Sequence, residues 1–164
     1  MRRPVYEFMA ADHDRLDGLL ARALADPEHI DMSAYGLFRS GILRHISMEE
    51  KVLLPEAMRL RGGVPLAIAE RIRLDHGAIT ALMVPPPSRA VLDTLRAILI
   101  VHNALEEQEG GMYQLCEQLT GDSGEALLAR LKGVAEVPLR PHNPDPAVMA
   151  SVRRAVERAG YAMK

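Results

Sequence analysis

Two short stretches recur along the chain in the same order. Asp12-His13-Asp14-Arg15-Leu16-Asp17-Gly18-Leu19-Leu20 aligns without gaps to Asp75-His76-Gly77-Ala78-Ile79-Thr80-Ala81-Leu82-Met83. Later in each half, His45-Ile46-Ser47-Met48-Glu49-Glu50 aligns to His102-Asn103-Ala104-Leu105-Glu106-Glu107, and both read H-x-x-x-E-E. Imidazole and carboxylate at this spacing suit metal chemistry. A helix turns about 100° per residue, so Glu49 lies about 40° from His45 and one turn along the same face, as Glu106 does beside His102. Two such side chains can grip one ion, or the carboxylate can bridge two ions while the imidazole binds one. His45 and His102 lie in apolar helical stripes, after Ile42 and Leu43 in one case and Leu99 in the other, which argues against exposed ion pairs. The candidate metal ligands are therefore His13, His45, Glu49, His76, His102 and Glu106. Buried carboxylates need a compensating charge, and metal ions supply it.

The elements that must position these groups are helices. Apolar residues recur at three- and four-residue intervals, as in Leu16, Leu19, Leu20, Ala23 and Leu24, and strand-like alternation is scarce, so the fold class is all-α. The first helix is expected after Pro4, stopping near Asp26-Pro27. A second runs from Asp31–Ser33 to Gly62-Gly63, with Pro55 kinking or dividing it. A third opens at Pro65 and ends at Pro85-Pro86-Pro87, and a fourth, capped by Ser88, continues towards Gly121. Four helices with short loops predict an up-down-up-down four-helix bundle over residues 1–121. Residues 122–164 form a C-terminal helical extension. It comprises a short helix capped at Ser123 and ending at Lys132, a proline-rich linker over 137–146, and a last amphipathic helix from Asp145-Pro146 to Gly160. That helix carries Val148, Val152, Val156 and Ala159 on one stripe and packs either on the bundle or on a partner subunit, leaving a homodimer or a signalling partner open.

Composition narrows the remaining classes. Lys plus Arg number 20 and Asp plus Glu 22, for a net charge of −2, which excludes the chain-wide basic field of a non-specific nucleic-acid binder. Trp is absent, so aromatic platforms for stacked bases are few. Cys116 is the only cysteine, excluding a disulfide framework, and reads as a buried small apolar residue. The strongly apolar stretch Ala97–Val101 is far shorter than a membrane span, and Glu7 and Asp12 interrupt the amino terminus before a secretory signal can form. A soluble cytoplasmic protein with no nucleic-acid or membrane partner is expected.

On these motifs the chain resembles the hemerythrin-like family, also described as HHE cation-binding domains, over about residues 5–120. The matching features are His13, His45/Glu49, His76 and His102/Glu106 in that order, with Glu50, Leu53, Leu54 and Pro55 resembling the family's E-E-x-x-L-x-P signature. The resemblance implies a non-haem di-iron centre: two iron ions with a bridging oxo or hydroxo group, Glu49 and Glu106 bridging, and the four histidines as terminal ligands. Zinc or manganese suits the same donors. It further implies a protein that binds or senses oxygen, nitric oxide or peroxide. A di-iron enzyme turning over peroxide or oxygen, and a bundle whose metal is structural or iron-sensing, stand as alternatives. The oxygen carriers place a second histidine one turn after the third-helix ligand, where this chain has Thr80. Each ion then receives two nitrogens and two oxygens from protein, which favours sensing or redox chemistry over reversible oxygen transport.

Further residues are candidates to support or line the pocket. Asp17 follows His13 by four positions, as Thr80 follows His76. Tyr113, eleven residues after His102, lies about 20° off the same face of a continuous helix and is placed to cap the pocket or donate to a bound oxygen species. Glu50 and Glu107 are rotated about 100° further and read as helix-surface or supporting groups. Glu109 returns to the inner face beside Gly110-Gly111, a pair that marks a bend, a close helix contact or ligand access. His29 and His142 fall in loops and are expected to be solvent-exposed.

Overall fold

A computed structural model describes residues 3–164, and every regular element among them is helical. Helix α1 (Pro4–Ala23) carries Pro4 in its first turn, where a missing N–H costs nothing. Helix α2 (Met32–Met48) is capped by Asp31, whose carboxylate accepts from Ala34 N–H at 2.9 Å. The helical path then widens into a five-residue π-type turn, Glu49–Leu53, before α3 (Leu54–Leu60). Leu54 N–H reaches back five residues to the Glu49 carbonyl. Pro55 follows in the first turn of α3, and the wider turn accommodates both its missing donor and its ring. The division thus falls at Glu49–Leu53, ahead of the proline.

Helix α4 (Ala69–Leu82) begins four residues later than the expected start at Pro65. Helix α5 (Arg89–Glu107) is capped by Ser88 Oγ, which accepts from Val91 N–H at 3.3 Å. It does not continue to Gly121 as the periodicity predicts. The chain turns at Gln108–Gly111 and resumes as α6 (Met112–Thr120). Gly110 supplies the turn with φ +76°, and a Cβ on Gly111 would lie 2.7–2.8 Å from the carbonyl oxygens of Leu105, Glu106 and Gln108. The glycine pair is therefore the bend. It turns Glu109 out into solvent, contrary to its expected place on the inner face.

Helix α7 (Gly124–Lys132) packs on α1, and α8 (Ala147–Arg158) packs on α4 of the same chain. Ser123 precedes α7 without capping it, since its Oγ donates to the Thr120 carbonyl. Val152, Val156 and Ala159 of the last helical stripe are buried. The irregular stretch 134–146 lies against α2, where Arg44 reaches the Lys132 and Val134 carbonyls at 3.0 and 2.8 Å and Arg39 reaches that of Arg140 at 3.1 Å. His142 is accordingly half-buried and stacks on Tyr35 at 5.9 Å, not solvent-exposed as its loop position suggested, whereas His29 is exposed. No described helix is long and apolar enough to cross a membrane.

The core is two apolar clusters. One gathers Leu16, Phe38, Ile79, Leu95 and Val152 with their neighbours; the other gathers Met9, Met48, Ile72, Tyr113 and Leu127. Along α1, α2, α4 and α5 the buried histidines fall between residues of these clusters, so a polar layer is sealed between two dry ones.

Candidate metal centre

That layer contains His13 from α1, His45 from α2, Glu49 at the head of the π-type turn, His76 from α4, and His102 and Glu106 from α5, all buried. Their ligand atoms form two groups, His13/His45/Glu49/Glu106 and Glu49/His76/His102/Glu106, each with its atoms within 4.8 Å of one another. Ligands at about 2.0–2.2 Å from one ion lie about 3–4 Å apart, so each group could hold a metal ion after a small contraction. Both groups share Glu49 and Glu106. Glu49 Oε1 lies 3.2 Å from His45 Nε2 and its Oε2 2.9 Å from His76 Nε2. Glu106 Oε2 lies 3.2 Å from His13 Nε2 and its Oε1 3.2 Å from His102 Nε2. The latter approach lacks hydrogen-bond geometry, and Glu106 Oε1 is a buried acceptor with no hydrogen-bond partner. A buried carboxylate oxygen of this kind calls for a cation.

Each imidazole turns its second nitrogen outward to another carboxylate. Asp12 takes His45 Nδ1 at 2.8 Å, Glu50 takes His76 Nδ1 at 2.7 Å, Asp75 takes His102 Nδ1 at 3.4 Å, and Glu107 takes His13 Nδ1 at 2.5 Å. The four ties form a cycle: α1 to α2, the π-type turn to α4, α4 to α5, and α5 back to α1. Each of these accepting carboxylates is the residue beside an inward-facing group, so the repeated D-H and E-E pairs supply one inner and one outer group apiece. An Nδ1–H held this way fixes the ring and leaves Nε2 for the centre. Glu50 and Glu107, read from spacing as helix-surface or supporting groups, are thus specific partners of His76 and His13.

The charge pattern follows from burial and proximity. Burial opposes charge on His45, but the Glu49 carboxylate and a bond to Asp12 outweigh it and raise the imidazole to about 9. His76 also reaches about 9, with bonds to Glu49 and Glu50 overcoming burial. Burial would raise Glu49, yet the two imidazoles hold it well below the usual carboxylate range. Glu106 is pushed well above that range by burial and by the negative Glu49 nearby. His102 faces this carboxylate, and burial lowers it despite Asp75. Without metal the two inner carboxylates are thus driven in opposite directions, Glu49 toward its ionised form and Glu106 toward its protonated one.

Tyr113 enters the centre from α6. Its Oη lies 2.6 Å from Glu49 Oε1 and 3.0 Å from each of Glu106 Oε2, His13 Nε2 and His45 Nε2. Burial and both carboxylates push its phenol well above its usual range, so it remains a donor. It arrives across the Gln108–Gly111 bend, not along the continuous helical face from which its position was argued. Thr80 is turned to the backbone, donating to the His76 carbonyl at 2.8 Å. Asp17 is exposed and belongs to neither ligand group, and Cys116 is buried with its thiol pushed up to about 12 by desolvation. Comparison with family models, with curated proteins and with solved structures gave no match.

Proposed function

We propose that the chain is a hemerythrin-like four-helix-bundle protein with a two-metal, di-iron centre that binds or senses a small oxidant: oxygen, nitric oxide or peroxide. The observation that carries this reading is the pair of buried four-residue groups sharing Glu49 and Glu106. In this reading His13 and His45 hold one ion and His76 and His102 the other, with the two glutamates between them. Imidazole and carboxylate donors fit iron(II), and zinc and manganese compete for the same set. Bound iron would supply exchangeable coordination positions and one-electron redox chemistry. Thr80, engaged with its own helix, adds no ligand to the His76 turn, which supports sensing over saturated, reversible carriage.

Turnover of peroxide or oxygen is a second reading, and Tyr113 is the observation that favours it. Its Oη is a neutral donor within hydrogen-bond distance of both inner carboxylates and is placed to donate a hydrogen bond to a reacting oxygen. Anaerobic iron loading with metal counting, followed by optical spectra after oxygen and then peroxide, separates these readings. Two iron per chain with ligand-dependent bands is the expected result, and catalytic peroxide loss abolished by Glu49→Ala would favour turnover. Unchanged two-metal occupancy in both His45→Ala and Glu106→Ala would refute the ligand assignment.

A further inference from the structure

Among the four outer carboxylates Asp75 stands apart. Its side chain is fully buried, whereas those of Asp12, Glu50 and Glu107 keep 12, 29 and 33% exposure. A sealed carboxylate needs partners for both oxygens. One faces His102 Nδ1; the other accepts from Arg71 Nη2 at 2.7 Å. The same guanidinium donates through Nη1 to the Ala159 carbonyl at 2.6 Å and lies 5.1 Å from the centre of the Tyr161 ring. Ala159 ends α8, so this carbonyl is one that the helix itself leaves unsatisfied. Arg15 on Asp12 and Arg73 on Glu50 make no such bond to the C-terminal segment among the described residues.

We infer that Arg71 is a positioning residue that couples docking of α8 to the half of the metal centre built on His76 and His102. The inference rests on the metal-centre reading above and extends it to regulation. A guanidinium presents its donors in a fixed planar fork, so Arg71 can hold the Ala159 carbonyl and Asp75 together only while α8 is seated. When α8 leaves, Arg71 loses the Ala159 acceptor that fixes its fork, and Asp75 is no longer held in one orientation toward His102. Coupling between two binding events is reciprocal, so filling the centre tightens the seating of α8 by the same factor by which seating tightens metal binding. A partner that captured α8 would loosen the His76/His102 position more than the His13/His45 position, which shares only Glu49 and Glu106 with it.

The test uses the full chain, metal-free, titrated anaerobically with cobalt(II) while amide hydrogen exchange is followed across residues 147–160. In the wild type, loading is expected to slow exchange in α8 by about fivefold or more. Arg71→Lys keeps a positive charge beside Asp75 but lacks the planar fork that aims separate nitrogens at the two acceptors. It should cut the metal-dependent slowing to less than about twofold and weaken one of the two cobalt equivalents by about fivefold or more, affecting the other less. Arg71→Met should abolish the coupling, and if it fails to fold the lysine variant carries the test. An arginine with a purely structural role would speed α8 exchange equally with and without cobalt, a result that overturns the inference. Two bound equivalents with wild-type α8 exchange unaffected overturns the coupling and leaves the metal centre standing. No cobalt binding by the wild type refutes the metal centre and the coupling with it.

Discussion

Filling the proposed metal centre would expel protons, and the charge pattern of the site shows where they would come from. At pH 7 the metal-free site holds a proton on each of His45 and His76, both raised to about 9, that an Nε2 ligand cannot keep. Glu106, pushed upward by burial and by Glu49, is biased toward its protonated form and adds up to a third proton. Binding two divalent ions should therefore release about two to three protons per chain, with His45 and His76 contributing two and Glu106 the remainder. Each released proton steepens loading by about tenfold per pH unit, so affinity should fall sharply as pH drops from 8 to 6. Calorimetric titration with zinc(II) in two buffers of different ionisation enthalpy measures the count directly. Glu106→Gln, which mimics the protonated carboxyl, should remove Glu106's share of the released protons and weaken metal binding while leaving the metal-free fold near its original stability. Release of fewer than one proton by the wild type, with two metals bound, would refute the charge assignment. An undiminished count in Glu106→Gln would refute the role given to that residue.

Three further outcomes follow from the same geometry. A histidine whose folded value is raised contributes stability that is complete below its unfolded value, about 6.5, and is lost as pH rises through about 9. The metal-free chain should therefore lose at least about 3 kcal/mol between pH 6 and 9, the contribution of one such histidine, and urea unfolding of chelated protein at the two pH values checks this. Tyr113→Phe removes the donor 2.6 Å from Glu49 and should cost about 1.5–3 kcal/mol of metal-free stability in urea while two metals still bind, since the phenol belongs to neither ligand group. Gly111→Ala places a methyl 2.7 Å from backbone oxygens that cannot move aside and should cost about 1–3 kcal/mol by thermal melting, whereas Gly18→Ala, with open space around it in α1, should stabilise by up to about 1 kcal/mol.

The convergence of His13, His45, Glu49, His76, His102 and Glu106 was legible because helical period and internal repeat are both one-dimensional signals. The outer ring was only half legible. Asp12, Asp75, Glu50 and Glu107 stand in the repeat, but a residue 100° from an inward ligand looks solvent-facing on an isolated helix. Among packed helices that direction points into the seam with the next one, where an imidazole waits. Tyr113 reached the centre for a reason the spacing did not contain. The Gly110-Gly111 bend ends α5, and α6 returns the phenol to the centre by tertiary packing. The π-type turn at Glu49 likewise left no periodic trace beyond Pro55, because one extra residue per turn shifts a pattern too briefly to be counted. His142 lies half-buried against Tyr35, and a proline-flanked loop gives no hint of that stacking.

The cycle of outer carboxylates divides by origin in a way that bears on how such a chain arises. The two aspartates tie within a hairpin, Asp12 to His45 and Asp75 to His102, while the two glutamates tie between hairpins, Glu50 to His76 and Glu107 to His13. One hairpin therefore carries an internal staple and both halves of a self-complementary joint. Two copies of the first hairpin, placed about a two-fold axis, would offer Glu50 of each to His13 of the other and recreate every tie in the ring. In its ring of outer ties the single chain thus has the connectivity that an isologous pair of its first half would have.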